Sequence, residues 1–151
     1  MTYAWDGTTD APGLRRFLHA LPGVDEVGAH ARAAMLSTRS VKTTSKCAAI
    51  DLAISMVDLT TLEGSDTRGK VTAMCAKAVR PDPLDAGVSS AAAVCVYSDM
   101  VKIARDAVGD AVHVAAVATA FPSGRANLAV KETDTQDAIA NGADEIDMVI
   151  D

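Results

Sequence analysis

The stretch AAAVCVYSDMVKIARDAVGDAVHVAAVAT, residues 91–119, decides the fold class of this chain. It opens and closes with short apolar runs, at residues 91–97 and 113–119, which have the length of strands buried on both faces. Between them, apolar side chains recur at helical spacing from residue 98 to about residue 108. A strand, a helix and a strand in this order form a βαβ unit, so we predict two parallel strands joined by a crossover helix.

The same alternation of strand and helix continues on both sides of this unit. The further predicted elements are a strand at residues 54–59, a helix from a cap at Asp66 or Thr67 to about residue 79, a helix at residues 128–140 and a strand at residues 145–151. The order β-α-β-α-β-α-β predicts an α/β domain whose parallel strands are joined by right-handed crossovers. Either a doubly wound sheet or part of a barrel satisfies this order.

The chain before the first predicted strand has a different pattern. Apolar residues recur at helical spacing in residues 14–21, 24–36 and 45–54. We therefore predict an N-terminal helical extension over residues 1–53, followed by the α/β region over residues 54–151. The last predicted strand has no helix after it, which leaves one of its faces uncovered, so we expect the chain to be one half of a larger domain.

Charge and composition exclude several classes of partner. The formal charge of −6 argues against nucleic acid and anionic membranes, which select basic surfaces. No run approaches the roughly 18 apolar residues of a membrane span, and the first residues lack the basic and apolar regions of a signal peptide. We therefore expect a cytoplasmic protein that binds neither nucleic acid nor membrane.

Motifs for several common kinds of site are absent from the sequence. There is no GxGxxG, GxxxxGK[ST] or GxSxG, which disfavours dinucleotide binding, phosphate-loop chemistry and an α/β-hydrolase. The three cysteines lack CxxC spacing, and His19, His30 and His113 each stand alone. Because metal sites usually bring such ligands close together in sequence, we predict no metal site.

The last predicted strand places carboxylates on one of its faces. Side chains alternate across a strand, so Glu145 and Asp147 share a face while Ile146 and Met148 share the other. A carboxylate turned into a barrel interior is costly unless it is paired. Asp147 is therefore either one partner of an interior ion pair or a group that transfers protons, and the pattern alone favours neither.

Two other strands carry candidate residues. We predict that Asp58 lies where the first strand meets its loop, at the carboxyl end that carries ligand sites in parallel α/β folds. The alternative is that Asp58 orders this loop together with Thr60 and Thr61. Cys95 falls in the middle of its strand with no cation beside it in sequence, so a small apolar filler is the favoured interpretation.

No lysine is predicted to lie where a Schiff-base nucleophile is needed. Such a lysine requires a desolvated or electropositive pocket that depresses its pKa. All six lysines fall in predicted loops or helices: Lys42, Lys46, Lys70, Lys77, Lys102 and Lys131.

Four stretches of the chain resemble deoxyribose-phosphate aldolases in order and spacing. They are MVDLTTLEGSDTRGKV at 56–71, AAVCVYSDMV at 92–101, VATAFPSGRANLAVKETDTQDAI at 117–139 and NGADEIDMVID at 141–151. The resemblance implies a (β/α)8 barrel, of which this chain supplies about four strands. It also implies a class I aldolase, without metal or other cofactor, that reversibly cleaves 2-deoxy-D-ribose 5-phosphate to D-glyceraldehyde 3-phosphate and acetaldehyde through a lysine Schiff base.

The same resemblance implies roles for particular residues. Asp147 corresponds to the aspartate that follows the GADE motif in the family. In the family this aspartate relays protons together with a second lysine and a water. Asp58 corresponds to an aspartate that contacts sugar hydroxyls. The remaining matches to pocket positions are Thr60, Leu62, Cys95 and Phe121, of which the cysteine is not required for turnover. The Schiff-base lysine and the phosphate-binding loops correspond to positions beyond Asp151, which implies that this chain alone is inactive.

Two alternatives remain at this stage. In the first, the chain is a non-catalytic half-barrel that forms a homo-oligomer, or pairs with a separate C-terminal half, through the edges of its first and fourth strands. In the second, it is a doubly wound, flavodoxin-like domain that binds a small ligand. A strand order of 1-2-3-4 excludes the second alternative, because a doubly wound sheet reverses its strand order.

Overall fold

The computed structural model describes residues 10–150, which divide into two compact units. One unit reaches Val41 and the other begins at Lys42, so the third helix belongs with the strands. The boundary between residues 53 and 54, predicted to separate the helical extension from the α/β region, stays a prediction. No helix within residues 10–150 is both long and apolar enough to cross a membrane, and the cytoplasmic location also stays a prediction.

The first unit contains two helices with capped amino ends. Helix α1 spans Ala11–Ala20 and helix α2 spans Glu26–Ser37. The carboxylate of Asp10 accepts the Gly13 N–H at 2.7 Å, and that of Asp25 accepts the Gly28 N–H at 2.8 Å. Each aspartate therefore satisfies a backbone donor that the first helical turn leaves without a partner.

The second unit alternates strands and helices, as predicted. In chain order its elements are α3 (Thr43–Ile54), β1 (Asp58–Thr60), α4 (Arg68–Val79), β2 (Ala93–Tyr97), a 3₁₀ turn (Ser98–Met100), α5 (Val101–Val108), β3 (His113–Ala118), α6 (Leu128–Ala140) and β4 (Glu145–Met148). The Thr67 hydroxyl caps α4 by accepting the Lys70 N–H at 3.2 Å. Helix α6 ends at Ala140, as predicted, with Asn141 as its C-cap and Gly142 directly after it.

The boundaries of the first and last strands differ from the prediction. Strand β1 begins at Asp58 rather than at residue 54, because α3 runs through Ile54 and its turns continue beyond it. The Met56 and Val57 N–H groups bond back to Ala53 and Ile54 at 3.2 Å, so these apolar residues satisfy their backbone locally. Strand β4 ends at Met148, and Asp151 lies outside the described residues.

The sheet has the strand order β1-β2-β3-β4, and all neighbouring strands are parallel. Each strand therefore lies beside the next strand in the sequence, as in a barrel. This order excludes the doubly wound alternative, in which the order would reverse.

The two faces of the sheet have different surroundings. On one face, helices α4 and α5 and one residue of α6 bury a core against the strands, formed mainly by Val71, Cys75, Val94, Val96, Val101, Ala104, Val114, Ala116 and Ala138. The opposite, open face carries a small cluster of Ala93, Cys95, Ala115 and Val117, against which Leu62, Tyr97 and Phe121 pack. Residues of β2 and β3 divide between the faces by the two-residue alternation of a strand.

An arginine clamp fixes the amino end of β4. The Arg105 guanidinium donates to the carbonyls of Gly142 at 3.0 Å and Gly109 at 2.6 Å, and it forms an ion pair with Asp144. Asp144 also accepts the Val114 N–H at 2.8 Å. This backbone bond, followed by the Arg105 guanidinium, lowers the pKa of Asp144 and ties β4 to β3.

Candidate functional site

A cleft of roughly 340 Å³ lies on the open face of the sheet. It is lined by Asp58, Thr60, Leu62, Cys95, Ala115, Glu145, Ile146 and Asp147. Five of the six predicted site residues meet there. The sixth, Phe121, is absent from the lining but packs against the small-residue cluster on the same face.

The parallel register explains why residues so far apart in sequence meet in this cleft. Asp58 is aligned with Ala93, Cys95 with Ala115, and Val117 with Asp147. Because alternate residues of a strand share a face, each of the four strands contributes to the same surface. Small side chains in the two central strands leave room between the carboxylates of the two outer strands.

Asp58 is in the cleft, but its position on the strand differs from the prediction. It is the first residue of β1 and not the residue at the carboxyl end. The alternative role, ordering the loop with Thr60 and Thr61, is also not what the structure shows. The Thr60 hydroxyl donates to the backbone carbonyl of Asp58 at 2.9 Å, and Thr61 bonds to Asp66.

Asp66 orders the loop that follows β1. Its side chain is only 4% exposed, and its carboxylate accepts the Thr61 hydroxyl at 2.9 Å and the Glu63 N–H at 3.0 Å. Lys70 pairs with it at 2.6 Å. The Lys70 bond is the main cause that lowers the pKa of Asp66, and the network holds Leu62 at the wall of the cleft.

The two carboxylates of β4 have different neighbours. Glu145 lies 2.8 Å from Nδ1 of His113, and this bond is the main cause that raises the pKa of His113. Asp147 has no cationic partner among residues 10–150. The interior ion pair that was the alternative role for Asp147 is therefore absent from this part of the chain, and the contact of Glu145 with His113 is between two exposed side chains.

Glu145 shares the predicted face of Asp147 but is not among the predicted site residues. Its partner His113 was set aside as an isolated histidine. The two are 32 positions apart, and they meet because β3 and β4 pair with Ala115 opposite Glu145. The alternation within each strand could have indicated the shared face, but the register between strands cannot be read from either segment.

The Cys95 thiol is buried at the cleft. Its exposed fraction is 5%. Burial, followed by the nearby carboxylates of Asp147 and Asp58, raises the pKa of the Cys95 thiol. Because the thiolate is the reactive form, this environment supports the interpretation of Cys95 as a small space-filling residue in the wall of the cleft.

All six lysines lie in the described residues, and none lines the cleft. Lys42 precedes α3 and Lys46 lies within it, Lys70 and Lys77 are in α4, Lys102 is in α5 and Lys131 is in α6. Helices α4, α5 and α6 pack on the opposite face of the sheet. The charged side chains that line the cleft, Asp58, Glu145 and Asp147, are all acidic. Among residues 10–150 there is also no group of three or more His, Cys, Asp or Glu side chains that could hold a metal ion.

A parallel sheet in chain order, covered by helices on one face and bearing acidic and small residues on the other, has the architecture of a sector of a (β/α)8 barrel. The family model for DeoC/LacD family aldolases matches residues 52–151, the greater part of the chain. The chain belongs to this aldolase family.

Relatives with stated activities fit the same family. The chain is 42% identical over 125 residues to deoxyribose-phosphate aldolase from Mus musculus, covering 74% of this chain and 39% of the relative. The Homo sapiens deoxyribose-phosphate aldolase is 39% identical over the same length, with the same coverage. The chain thus spans about two fifths of the length of these relatives.

Solved structures confirm the fold. A crystal structure assigned to deoxyribose-phosphate aldolase from Coccidioides immitis matches with a TM-score of 0.59 and 29% identity, covering 68% of this chain and 37% of that one. A deoxyribose phosphate aldolase from Aeropyrum pernix, described as tetrameric, matches with a TM-score of 0.52 and 24% identity, covering 65% and 38%. The partial barrel that the sequence predicted is therefore confirmed.

Proposed function

We propose that this chain contributes the carboxylate side of a deoxyribose-phosphate aldolase site. In this role Asp147 relays protons, and Asp58 binds sugar hydroxyls during reversible cleavage of 2-deoxy-D-ribose 5-phosphate to D-glyceraldehyde 3-phosphate and acetaldehyde. One observation carries the proposal: Asp58 and Asp147, from opposite edges of the sheet, line one cleft with Thr60, Leu62 and Cys95.

The proposed chemistry needs a base that is close to the substrate and free to exchange protons. A Schiff base between a lysine and the substrate withdraws electrons from the carbon–carbon bond that breaks, and a carboxylate then returns or removes a proton at the adjacent carbon. Asp147 is exposed in the cleft, whereas Glu145 on the same face is engaged by His113. Of the two carboxylates on β4, Asp147 is therefore the better proton relay.

The remaining groups define the proposed pocket. Thr60 and Asp58 offer polar contacts for hydroxyls, while Leu62, Cys95 and Phe121 form an apolar wall suited to the short aldehyde part of the substrate. Phe121 packs edge-on against Tyr97, with ring centroids 6.3 Å apart. A ligand with hydroxyls at one end and a small apolar group at the other fits this division.

We also propose that the Schiff-base lysine and the phosphate-binding groups come from polypeptide outside these 151 residues. Five of the six lysines belong to α3, α4, α5 and α6, and Lys42 precedes α3; none of the six is in the cleft lining. On this basis the 151-residue chain alone is inactive.

Borohydride trapping tests both proposals. The chain is incubated with acetaldehyde or deoxyribose 5-phosphate, reduced, and its intact mass is measured. We expect no adduct on this chain, but an adduct on a full-length protein that includes it, or on a mixture with the missing half. An adduct on this chain that one Lys→Arg substitution removes would overturn the proposed absence of the nucleophile. No adduct on the full-length protein would overturn the aldolase function.

A second candidate function is a half-barrel module that self-associates or pairs with a separate C-terminal half. The observation that favours it is that β1 and β4 each pair with a single neighbour and are the outer strands of the sheet. Two copies could pair β4 of one with β1 of the other in the parallel sense. Native mass spectrometry that shows only monomer at micromolar concentration would exclude self-association.

A further inference from the structure

The loop after β3 has an unusual backbone. Thr119 and Ala120 have φ angles of 63° and 61°, although neither is a glycine. The left-handed region is sterically unfavourable for residues with a Cβ atom, and two such residues in succession require support from their surroundings. The next residue is Phe121, so the conformation of this turn decides where that ring lies.

Two sets of hydrogen bonds support this turn. The Thr119 hydroxyl exchanges bonds with the backbone of Val149, accepting its N–H at 2.8 Å and donating to its carbonyl at 3.3 Å. Asp134, in α6, supports the other side. One carboxylate oxygen accepts the Ser98 hydroxyl at 2.9 Å, and the second accepts the Ala120 N–H at 3.5 Å.

These contacts join the loops that follow neighbouring strands. Ser98 follows the last residue of β2, and Ala120 is two residues beyond the end of β3. A carboxylate suits this position because it offers two acceptors to an O–H and an N–H donor that approach from different loops. The loop residues that Asp134 ties together are adjacent to Tyr97 and Phe121, which contact each other across the open face.

We propose that Asp134 is a positioning residue of the cleft, which bridges Ser98 and Ala120 and thereby holds Phe121 against the small-residue cluster beside Cys95. Its importance for catalysis rests on the proposed aldolase function. The positioning itself does not depend on that function, because it can be measured without substrate.

The three cysteines provide the measurement. Cys47 is exposed, Cys75 is fully buried between the sheet and the helices, and Cys95 is buried at the cleft. The rate at which a maleimide alkylates each thiol, followed by peptide mass spectrometry under native conditions, reports the opening of each environment. In Asp134→Ala, we expect Cys95 to react about tenfold faster, because losing a hydrogen bond to a charged group makes local opening more frequent by about this factor. Cys75 should keep its rate.

Two further variants distinguish the positioning role of Asp134 from an effect of its charge and from general destabilisation of the fold. Asp134→Asn should keep the Cys95 rate within about twofold of the wild type, because the amide oxygen can accept the Ala120 N–H while the amide N–H donates to the Ser98 hydroxyl. Asp137→Ala is the matched control, since Asp137 lies in the same helix and is exposed. We expect it to change neither rate.

Three outcomes would overturn the proposal. They are an unchanged Cys95 rate in Asp134→Ala, an equal increase at Cys95 and Cys75, which would indicate general destabilisation, and an Asp134→Asn variant as reactive as Asp134→Ala. A negative borohydride experiment on the full-length protein would remove the aldolase function but leave the thiol rates unaffected. The two failures are therefore distinguishable.

Discussion

Asp147 is the residue on which the proposed chemistry depends. In a full-length enzyme that includes the lysine, Asp147→Asn keeps the size of the side chain but removes the base. We expect kcat to fall by about 100-fold or more, the usual contribution of general acid–base catalysis, with little change in the fold. Steady-state assay of deoxyribose 5-phosphate cleavage measures this effect.

The matched control for Asp147→Asn is Glu132→Gln. Glu132 is an exposed carboxylate in α6 and is not among the cleft residues, so its substitution removes the same charge from a different surface. Activity of Asp147→Asn within about threefold of the control would contradict the proton-relay role.

The Cys95 thiol reports on the carboxylates around it. Because burial and then the charges of Asp147 and Asp58 raise the pKa of this thiol, its thiolate forms only above the ordinary pH range of a cysteine. The pH profile of Cys95 alkylation should therefore have a midpoint above that of a small free thiol. In Asp58→Asn or Asp147→Asn the midpoint should shift downward, since one like charge no longer opposes ionisation. A midpoint that stays in place in both variants would mean that the carboxylates lie too far from the thiol to form one site.

The loop between β1 and α4 depends on the charge of Asp66. The pKa of Asp66 is lowered in the folded protein, chiefly by Lys70, so its ionised form favours folding. This stabilisation is fully present above the unfolded pKa of about 3.9 and is lost as the pH falls through the lower folded value. Urea unfolding between about pH 6 and pH 2 should show that Asp66→Asn is less stable than the wild type near neutral pH, and that the difference shrinks in acid. Asp110→Asn, an exposed carboxylate after α5, is the control and should show no such convergence.

The turn that ends α6 requires a glycine at position 142. Gly142 has a φ of +100°, and a Cβ atom there would lie 3.2 Å from Cγ of Arg105, the residue that clamps β4 to β3. Gly142→Ala should therefore destabilise the fold by roughly 1–3 kcal/mol, combining backbone strain with displacement of the arginine. A Cβ at Gly64 meets nothing within 4 Å, so Gly64→Ala is the matched control in urea unfolding. Equal effects of the two substitutions would argue against the clamp.

Local patterns predicted the helices better than the first strand. Thr67 caps α4 and α6 ends at Ala140, as expected, because the signals that begin and end a helix act over three or four residues of sequence. Residues 54–57 were predicted to begin the first strand, but Ile54, which also ended a predicted helical segment, is the last residue of α3 and β1 begins at Asp58, since a short apolar run has no period that distinguishes helix from strand. The face of Asp147 could likewise be derived from alternation within one strand.

Contacts between distant segments could not be derived in this way. Ser98 and Asp134 are 36 positions apart, and His113 and Glu145 are 32 positions apart. Their meeting depends on strand register and on the placement of α6, which arise from packing of the whole sheet. The predicted site thus included residues that the family resemblance supplied, but not Asp134 or Glu145.

The molecule as a whole exposes apolar surface at one end of the sheet. A groove of roughly 490 Å³ runs between α6 and β4, and its largest exposed apolar side chains are Leu128, Met148 and Ile150. Ile150 is 90% exposed. Apolar surface beside an unpaired strand edge favours association with another polypeptide, either a second half of the barrel or another copy of the chain.

This surface leads to a prediction for the isolated 151-residue chain. At concentrations of about 10–100 μM we expect it to self-associate, and Met148→Lys should shift it to monomer because a charged side chain on an edge strand opposes pairing. Leu84→Lys is the control, since Leu84 is 96% exposed in the loop between α4 and β2 and lies outside the groove. Native mass spectrometry of the three proteins distinguishes the outcomes.

If both lysine variants dissociate equally, association reflects general hydrophobicity rather than the β4 edge. If the wild type is monomeric throughout, self-association is excluded, and the groove is left as the surface against which the rest of an aldolase barrel would pack.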